Sequence, residues 1–120
     1  MASFWALLND EAEIGTTLHF IEDSSIDTGS IVASTRLPVQ RDRSYLWHVL
    51  SLYESGCREM LAAVVRIAAG EDLPHEAQPQ GGNYYSFPVA EDLQRFAEKG
   101  WRLFDPGDIL AVARQFLPAD

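Results

Sequence analysis

The sequence predicts an incomplete α/β unit, a β-hairpin followed by a long helix and further C-terminal helices, and three observations carry that reading. Two runs, Thr16 to Ile21 and Ile31 to Leu37, alternate β-branched and aromatic residues with others, which is the signature of a strand. From Ser44 to Ala69 apolar residues recur three and four apart, the period of a helix face. Both strands also carry apolar residues on both faces (Leu18, Phe20 and Ile21; Ile31, Val32 and Ala33), the pattern of a sheet covered on two sides. A lone hairpin is marginal in water. Two strands cannot supply such a sheet, so the unit reads as a part.

The elements follow in order. Ser3 is placed to cap a short helix carrying Phe4, Trp5, Leu7 and Leu8, apolar nearly all round and so expected to be buried. The two strands come next, joined by the acidic loop Glu22-Asp23-Ser24-Ser25. Pro38 and Gln40-Arg41-Asp42-Arg43 end the second strand. The long helix is predicted over Ser44 to Ala69, with Gly70 as its stop and a buried stripe of Leu46, Leu50, Tyr53, Cys57, Leu61, Val64 and Ala68.

Pro74, Pro79, Gly81 and Gly82 mark Glu71 to Phe87 as a loop. A helix is predicted from Ala90 to Lys99, with Val89, Leu93 and Phe96 on one face and Gly100 closing it. The last helix has the clearest start: Asp105 suits the N-cap, Pro106 the first position and Asp108 the positive helix end. Its expected buried face is Ile109, Val112, Ala113 and Phe116, and Pro118 ends it.

A length of 120 residues with 47% hydrophobic content allows one domain at most, with a modest core. The net charge is −9, and no Lys or Arg precedes Arg36, whereas Asp10, Glu11, Glu13, Glu22, Asp23 and Asp27 all do. Binding to a phosphate backbone needs clustered Lys and Arg, so no nucleic-acid partner is expected. The single cysteine, Cys57, leaves no internal disulfide and no cysteine-built zinc site; on the apolar stripe it reads as an inert core thiol. A reducing cytoplasm is compatible with this and is the expected location. MASFWALLND has no basic segment and no long apolar run, so neither a secretory signal nor a membrane span is expected.

Two readings of the chemistry stay open on pattern alone. Asp27 stands just before Gly29, where the chain turns sharply, and the same residue serves as a turn former or as a carboxylate held at the mouth of the turn. Pattern favours the turn former. A carboxylate near an imidazole suits general acid–base work, which makes His19 with Asp27 a candidate pair, although a histidine on an alternating strand is more often structural. His48 and His75 have no partner at metal-ligand spacing and read as structural or solvated; no metal site is expected. Trp5, Trp47 and Trp101 read as core.

Taken together, Phe4-Trp5-Ala6-Leu7-Leu8-Asn9, Gly15-Thr16-Thr17-Leu18-His19 and Ile26-Asp27-Thr28-Gly29-Ser30-Ile31-Val32 resemble the folate-dependent formyltransferase family in order and spacing. Ala69-Gly70 and Tyr84-Tyr85-Ser86-Phe87-Pro88 fit as well. The resemblance implies residues 1–88 as the C-terminal portion of a Rossmann-like catalytic domain and 89–120 as a helical extension. It implies transfer of a formyl group from 10-formyltetrahydrofolate to a small-molecule amine. Amine attack on a formyl carbon forms a tetrahedral oxyanion, which an Asn amide and a protonated His stabilise while an Asp supports the His. That Asp corresponds to Asp27, and the loop Glu22, Asp23, Ser24, Ser25 and Ile26 to the backbone lining the pterin pocket. The family's catalytic His comes from elsewhere, so His19 becomes a neighbouring strand residue.

The chain departs from the family pattern in one decisive respect. Its only Asn residues, Asn9 and Asn83, have no His two positions on, so the family's Asn-x-His falls upstream of Met1. The loop between His19 and Asp27 is also slightly longer than the family's usual spacing. The expectation is a truncated formyltransferase that contributes Asp27 and the pterin loop and is inactive alone, its partner a missing N-terminal half or a second copy. The alternative is a non-catalytic interaction module that associates through its strand edge and apolar helix.

Overall fold

The computed structural model describes residues 1–25 and 27–118. Its elements run α1 (Ala2–Leu8), β1 (Glu13–His19), β2 (Ile31–Pro38), α2 (Tyr45–Ala68), α3 (Ala90–Glu98) and α4 (Pro106–Gln115). The expected kinds of element occur in the expected order, as an incomplete α/β unit. Boundaries shift where local bonding overrides pattern. Ser3 lies inside α1, whose N-cap is Met1 without a side-chain bond. β1 starts at Glu13 and stops at His19, short of Phe20 and Ile21.

The strands pair antiparallel from Glu13↔Pro38 to Leu18↔Ala33, and the register then slips so that His19 faces Ile31. Val32 is left over as a bulge, a device that bends a strand and re-aims its side chains. Phe20 N–H still reaches the Ser30 carbonyl at 3.0 Å and closes the hairpin neck.

The core lies at one end of the molecule. Phe4, Leu7 and Leu8 of α1, Ile14 of β1, Phe96 of α3 and Trp101 pack into one buried cluster, which therefore draws on both ends of the sequence. Phe4 and Phe96 stack with centroids 4.6 Å apart, and Phe96 and Trp101 stack at 5.8 Å. Trp101 meets His48 edge-on, and His48 meets Trp47. This aromatic column runs from α1 to the start of α2.

The same corner accounts for the free N–H groups that begin α2. Ser44 N–H donates to Asp108 Oδ2 at 2.7 Å. Tyr45 and Leu46 N–H donate to the carbonyls of Arg102 and Leu103. Trp47 N–H donates to the Ser44 hydroxyl, the side-chain cap. The segment after Pro88 thus completes the helix it docks on, and Asp105 caps α4 as its sequence predicts. Gly70, at φ 80°, stops α2 in the left-handed conformation open to glycine.

Away from that corner the cover runs out. The stripe expected to be buried along α2 is half-buried at Leu46 and Leu50 but fails from Tyr53 onward: Tyr53, Leu61 and Val64 are exposed, as are Val65 and Ile67 near them, and so is Cys57, which is no core thiol. On α4 Val112 is buried but Phe116 is exposed, and on α3 Phe96 is buried while Val89 and Leu93 are exposed. Each face is apolar, but among the described residues the cover stops short of these exposed positions. The radius of gyration is 16.6 Å, against about 13.6 Å for a compact domain of this length. Among the described residues no further strand extends the hairpin at either edge, since the sheet is two-stranded.

Candidate functional site

The hairpin connector folds on itself through its acidic side chains. The Glu22 carboxylate accepts the Ser30 hydroxyl at 2.9 Å, tying the start of the loop to its end. Asp23 accepts the Ser25 N–H at 2.7 Å and the Ser25 hydroxyl, and that hydroxyl also meets Thr28. The Ser25 hydroxyl and amide hold the Asp23 carboxyl below its ordinary range, so it stays ionised inside the loop. Two of the loop's carboxylates are therefore occupied in shaping it.

Asp27 is not. It has φ 55°, a left-handed backbone that Asp and Asn tolerate better than most residues. Gly29 follows, buried, and a Cβ there would collide with the Phe20 carbonyl, so the neck accepts only glycine. This geometry carries Asp27 Oδ1 to 3.5 Å from His19 Nε2. The other ring nitrogen of His19, Nδ1, lies 2.9 Å from the Phe20 carbonyl oxygen. Both ring nitrogens face acceptors, an arrangement in which the imidazole is held at two points and presents a fixed edge.

His19 is three-quarters covered, whereas the Asp27 side chain is 85% exposed. An ion pair so open to solvent adds little to stability. Its consequence is chemical: a carboxylate oriented by an imidazole, with one side free to meet a ligand. A cavity of about 260 Å³ opens there, lined by His19, Phe20, Ile21, Glu22, Asp23, Ser25, Asp27, Thr28 and Gly29. Complete small-molecule sites run to roughly 300–1,000 Å³, so this cavity is smaller than one.

Asp27, Glu22, Asp23 and Ser25 are thus brought around a single cavity, with Ser24 exposed in the same loop, while Ile26 lies outside the described residues. His19 joins them, as its spacing on an alternating strand allowed. Gln78, Glu76 and His75, which also touch this neck, were hidden from sequence reasoning because they arrive from the loop after α2 and no motif marks them. His48 is fully buried instead, its Nε2 accepting the Gln40 N–H and its Nδ1 beside the Ser44 carbonyl. Among the described residues no group of three or more His, Cys, Asp or Glu is arranged to hold a metal ion, and no helix is long and apolar enough to cross a membrane.

A second, larger cavity of about 420 Å³ lies between the hairpin and α2, lined mainly by apolar and small side chains that include Leu18, Ala33, Leu52, Gly56, Cys57 and Met60. It holds none of the acidic loop.

The chain is similar to parts of known proteins. The methionyl-tRNA formyltransferase of Synechococcus sp. (strain JA-3-3Ab) is 27% identical over 90 residues, which are 75% of this chain and 28% of that protein. That of Janthinobacterium sp. (strain Marseille) is 32% identical over 90 residues, 72% of this chain and 27% of that protein. Among solved structures, the sugar 3N-formyltransferase WlaRD, crystallised in the presence of dTDP and 5-N-formyl-THF, matches with a TM-score of 0.58 and 25% identity, over 66% of this chain and 28% of that one. No protein-family model matches. The chain spans little more than a quarter of the length of the curated relatives it matches.

Proposed function

Since the chain is related to the formyltransferase family over part of a domain, we propose that it supplies one half of a formyl-transfer site. In this reading Asp27 is the active-site carboxylate and Glu22 to Ile26 the loop beside the donor's pterin ring. The observation that carries it is Asp27 itself, held in a left-handed turn, 3.5 Å from His19 and open to the cavity. The donor, 10-formyltetrahydrofolate, supplies the formyl group when bound. The cavity of about 260 Å³ suits one ring of such a molecule and not the whole of it. Phe20 and Ile21 give that ring apolar contact, and the loop backbone gives it polar contact.

The work left to these residues is positioning and proton movement. A transferred formyl group needs an oxyanion stabilised and an amine proton removed. Asp27 is placed to support a cationic partner group and to receive a proton; His19, with Nδ1 at the Phe20 carbonyl, keeps Asp27 in place. The donors for the oxyanion belong to the Asn-x-His segment, so the chain alone is inactive in this reading. A net charge of −9 favours a small amine acceptor over tRNA, since a phosphate backbone would be repelled. A cytoplasmic setting accords with it.

The test mixes the 120-residue chain with 10-formyltetrahydrofolate and, in turn, a dTDP-linked 3-amino sugar and a methionyl-tRNA. Each mixture is run with and without a formyltransferase N-terminal half carrying Asn-x-His. Turnover is expected only with both halves, on the amino sugar, and is expected to fall at least a hundredfold in Asp27→Asn, on the order of the loss of one proton-handling group. Turnover by the chain alone, or full activity in Asp27→Asn, would sink the proposal.

The bare face of α2 favours a second reading, a binding module without catalysis. Exposed Leu61, Val64, Val65 and Ile67 and the gap beside the hairpin suit an apolar partner surface. Cys57, exposed and lining that gap, reports on it directly. Protection of its thiol from alkylation by the N-terminal half, with no turnover under any condition, would select this reading over the first.

A further inference from the structure

The neck of the hairpin is gripped from outside by the segment that follows α2. Leu73 is buried and anchors the segment. Glu76 then pairs with Ile31 through two backbone bonds, Ile31 N–H to the Glu76 carbonyl at 2.7 Å and Glu76 N–H to the Ile31 carbonyl at 2.9 Å. His75 meets the Phe20 ring edge-on at 5.4 Å between centroids. Gln78 finishes the grip: its Nε2 donates to the Gly29 carbonyl at 2.7 Å, across 49 positions of sequence.

Each contact falls on a residue that fixes Asp27. Phe20 supplies the carbonyl beside His19 Nδ1. Gly29 is the tight position two residues after Asp27, and Ile31 is the register partner of His19. A hairpin of two strands is marginal by itself, and among the described residues the side-chain bonds that close its connector from within, such as Glu22 to Ser30, are exposed. The half-buried Gln78 bond is worth more, because the Gly29 carbonyl it satisfies belongs to a buried residue.

We propose that residues 73–78 form a strap that sets the Asp27 turn, with Gln78 the positioning residue that holds the His19–Asp27 pair in register. The inference rests on the reading of Asp27 as the site's carboxylate for its functional meaning. Its geometric content stands apart from any turnover. Gln78 touches no reacting atom and acts through the Gly29 carbonyl. Without that bond the neck relaxes, Asp27 leaves the left-handed turn and the imidazole edge of His19 loses its partner.

The test reads the histidine ring signals of the 120-residue chain by NMR, with Asp27→Asn as the reference for a broken pair. Gln78→Met keeps the reach of the side chain and removes the donor; Gln78→Lys keeps a donor at similar reach. In Gln78→Met the His19 signals are expected to move to where they lie in Asp27→Asn, and the Ser30 and Ile31 amides to exchange about fivefold faster, as for the loss of one hydrogen bond. In Gln78→Lys both are expected to stay near wild type. His48, buried at the far corner, serves as the control that the fold is intact. His19 unmoved in Gln78→Met, or moved equally in both variants, would overturn the proposal. Since no step involves formyl transfer, the strap can fail while the functional reading stands, and the reverse.

Discussion

The two ends of α2 are one helix in two environments. At its start Ser44 and His48 are fully buried, Trp47 nearly so, and every early N–H has an acceptor supplied by the helix itself or by the segment after Pro88. Toward its end Leu61, Val64, Val65 and Ile67 face solvent. The apolar period is as regular at the bare end as at the covered one. Periodicity therefore states that a face needs cover; it does not state that this chain provides it. The hairpin repeats the lesson along one face, with Ile14 in the core and Leu18 and Ala33, farther along the same face, beside an open gap.

The largest effect that tests this contrast is loss of a ring from the covered corner. Phe96→Ala removes a side chain stacked on both Phe4 and Trp101 and 1% exposed. Such truncations cost about 3–5 kcal/mol, comparable with the whole stability of a small domain, roughly 5–15 kcal/mol. Urea titration should show the unfolding midpoint moved sharply toward zero denaturant. A cost below about 1 kcal/mol would mean that the aromatic column is not the core that holds the two ends of the sequence together.

Acid should loosen the same corner in two stages. Burial holds the His48 imidazole below its ordinary value, outweighing the Ser44 carbonyl and the Asp108 and Asp42 carboxylates that favour the cation. The unfolded chain takes up that proton near pH 6.5, the folded chain only at lower pH, and the Gln40 N–H needs Nε2 unprotonated. His48 therefore contributes stability that is fully present above about pH 6.5 and falls away as pH drops below it. Asp108 behaves as a depressed carboxylate: burial works to raise it, but the Ser44 N–H and the Arg43 guanidinium prevail. Its contribution is present above about pH 3.9 and is lost as pH falls through its lower folded value. Urea midpoints across pH should show both limbs, and His48→Gln should flatten the upper one while leaving the lower in place.

The elements were legible because each is announced locally. Asp105-Pro106 opens α4, Ser44 opens α2 and Gly70 closes it, as capping chemistry requires. The turn at Asp27 and its nearness to His19 were legible in the strand-turn-strand pattern. Burial was not. Cys57 and Phe116 sit on apolar faces and are exposed, while His48 and Asp108 are polar and buried, because burial depends on which element arrives from far along the chain. Asp108 reaches Ser44 across 64 positions and Gln78 reaches Gly29 across 49, and no local pattern encodes either contact.

The smallest expected effect is also the sharpest test of the bare end. Leu61→Gln and Val65→Gln, one turn apart on α2, replace side chains that are 66% and 59% exposed. With so little contact to lose, each should change the stability of the chain by no more than about 0.5 kcal/mol. Their effect should appear only when the face is covered: binding of an N-terminal formyltransferase half, followed by protection of Cys57, should weaken while the urea midpoint stays fixed. If either substitution instead costs nearly as much as Phe96→Ala, and the cost grows with protein concentration, the face is covered in solution by a second copy of the chain. The two ends of α2 would then differ in who covers them, the chain itself at one end and its neighbour at the other.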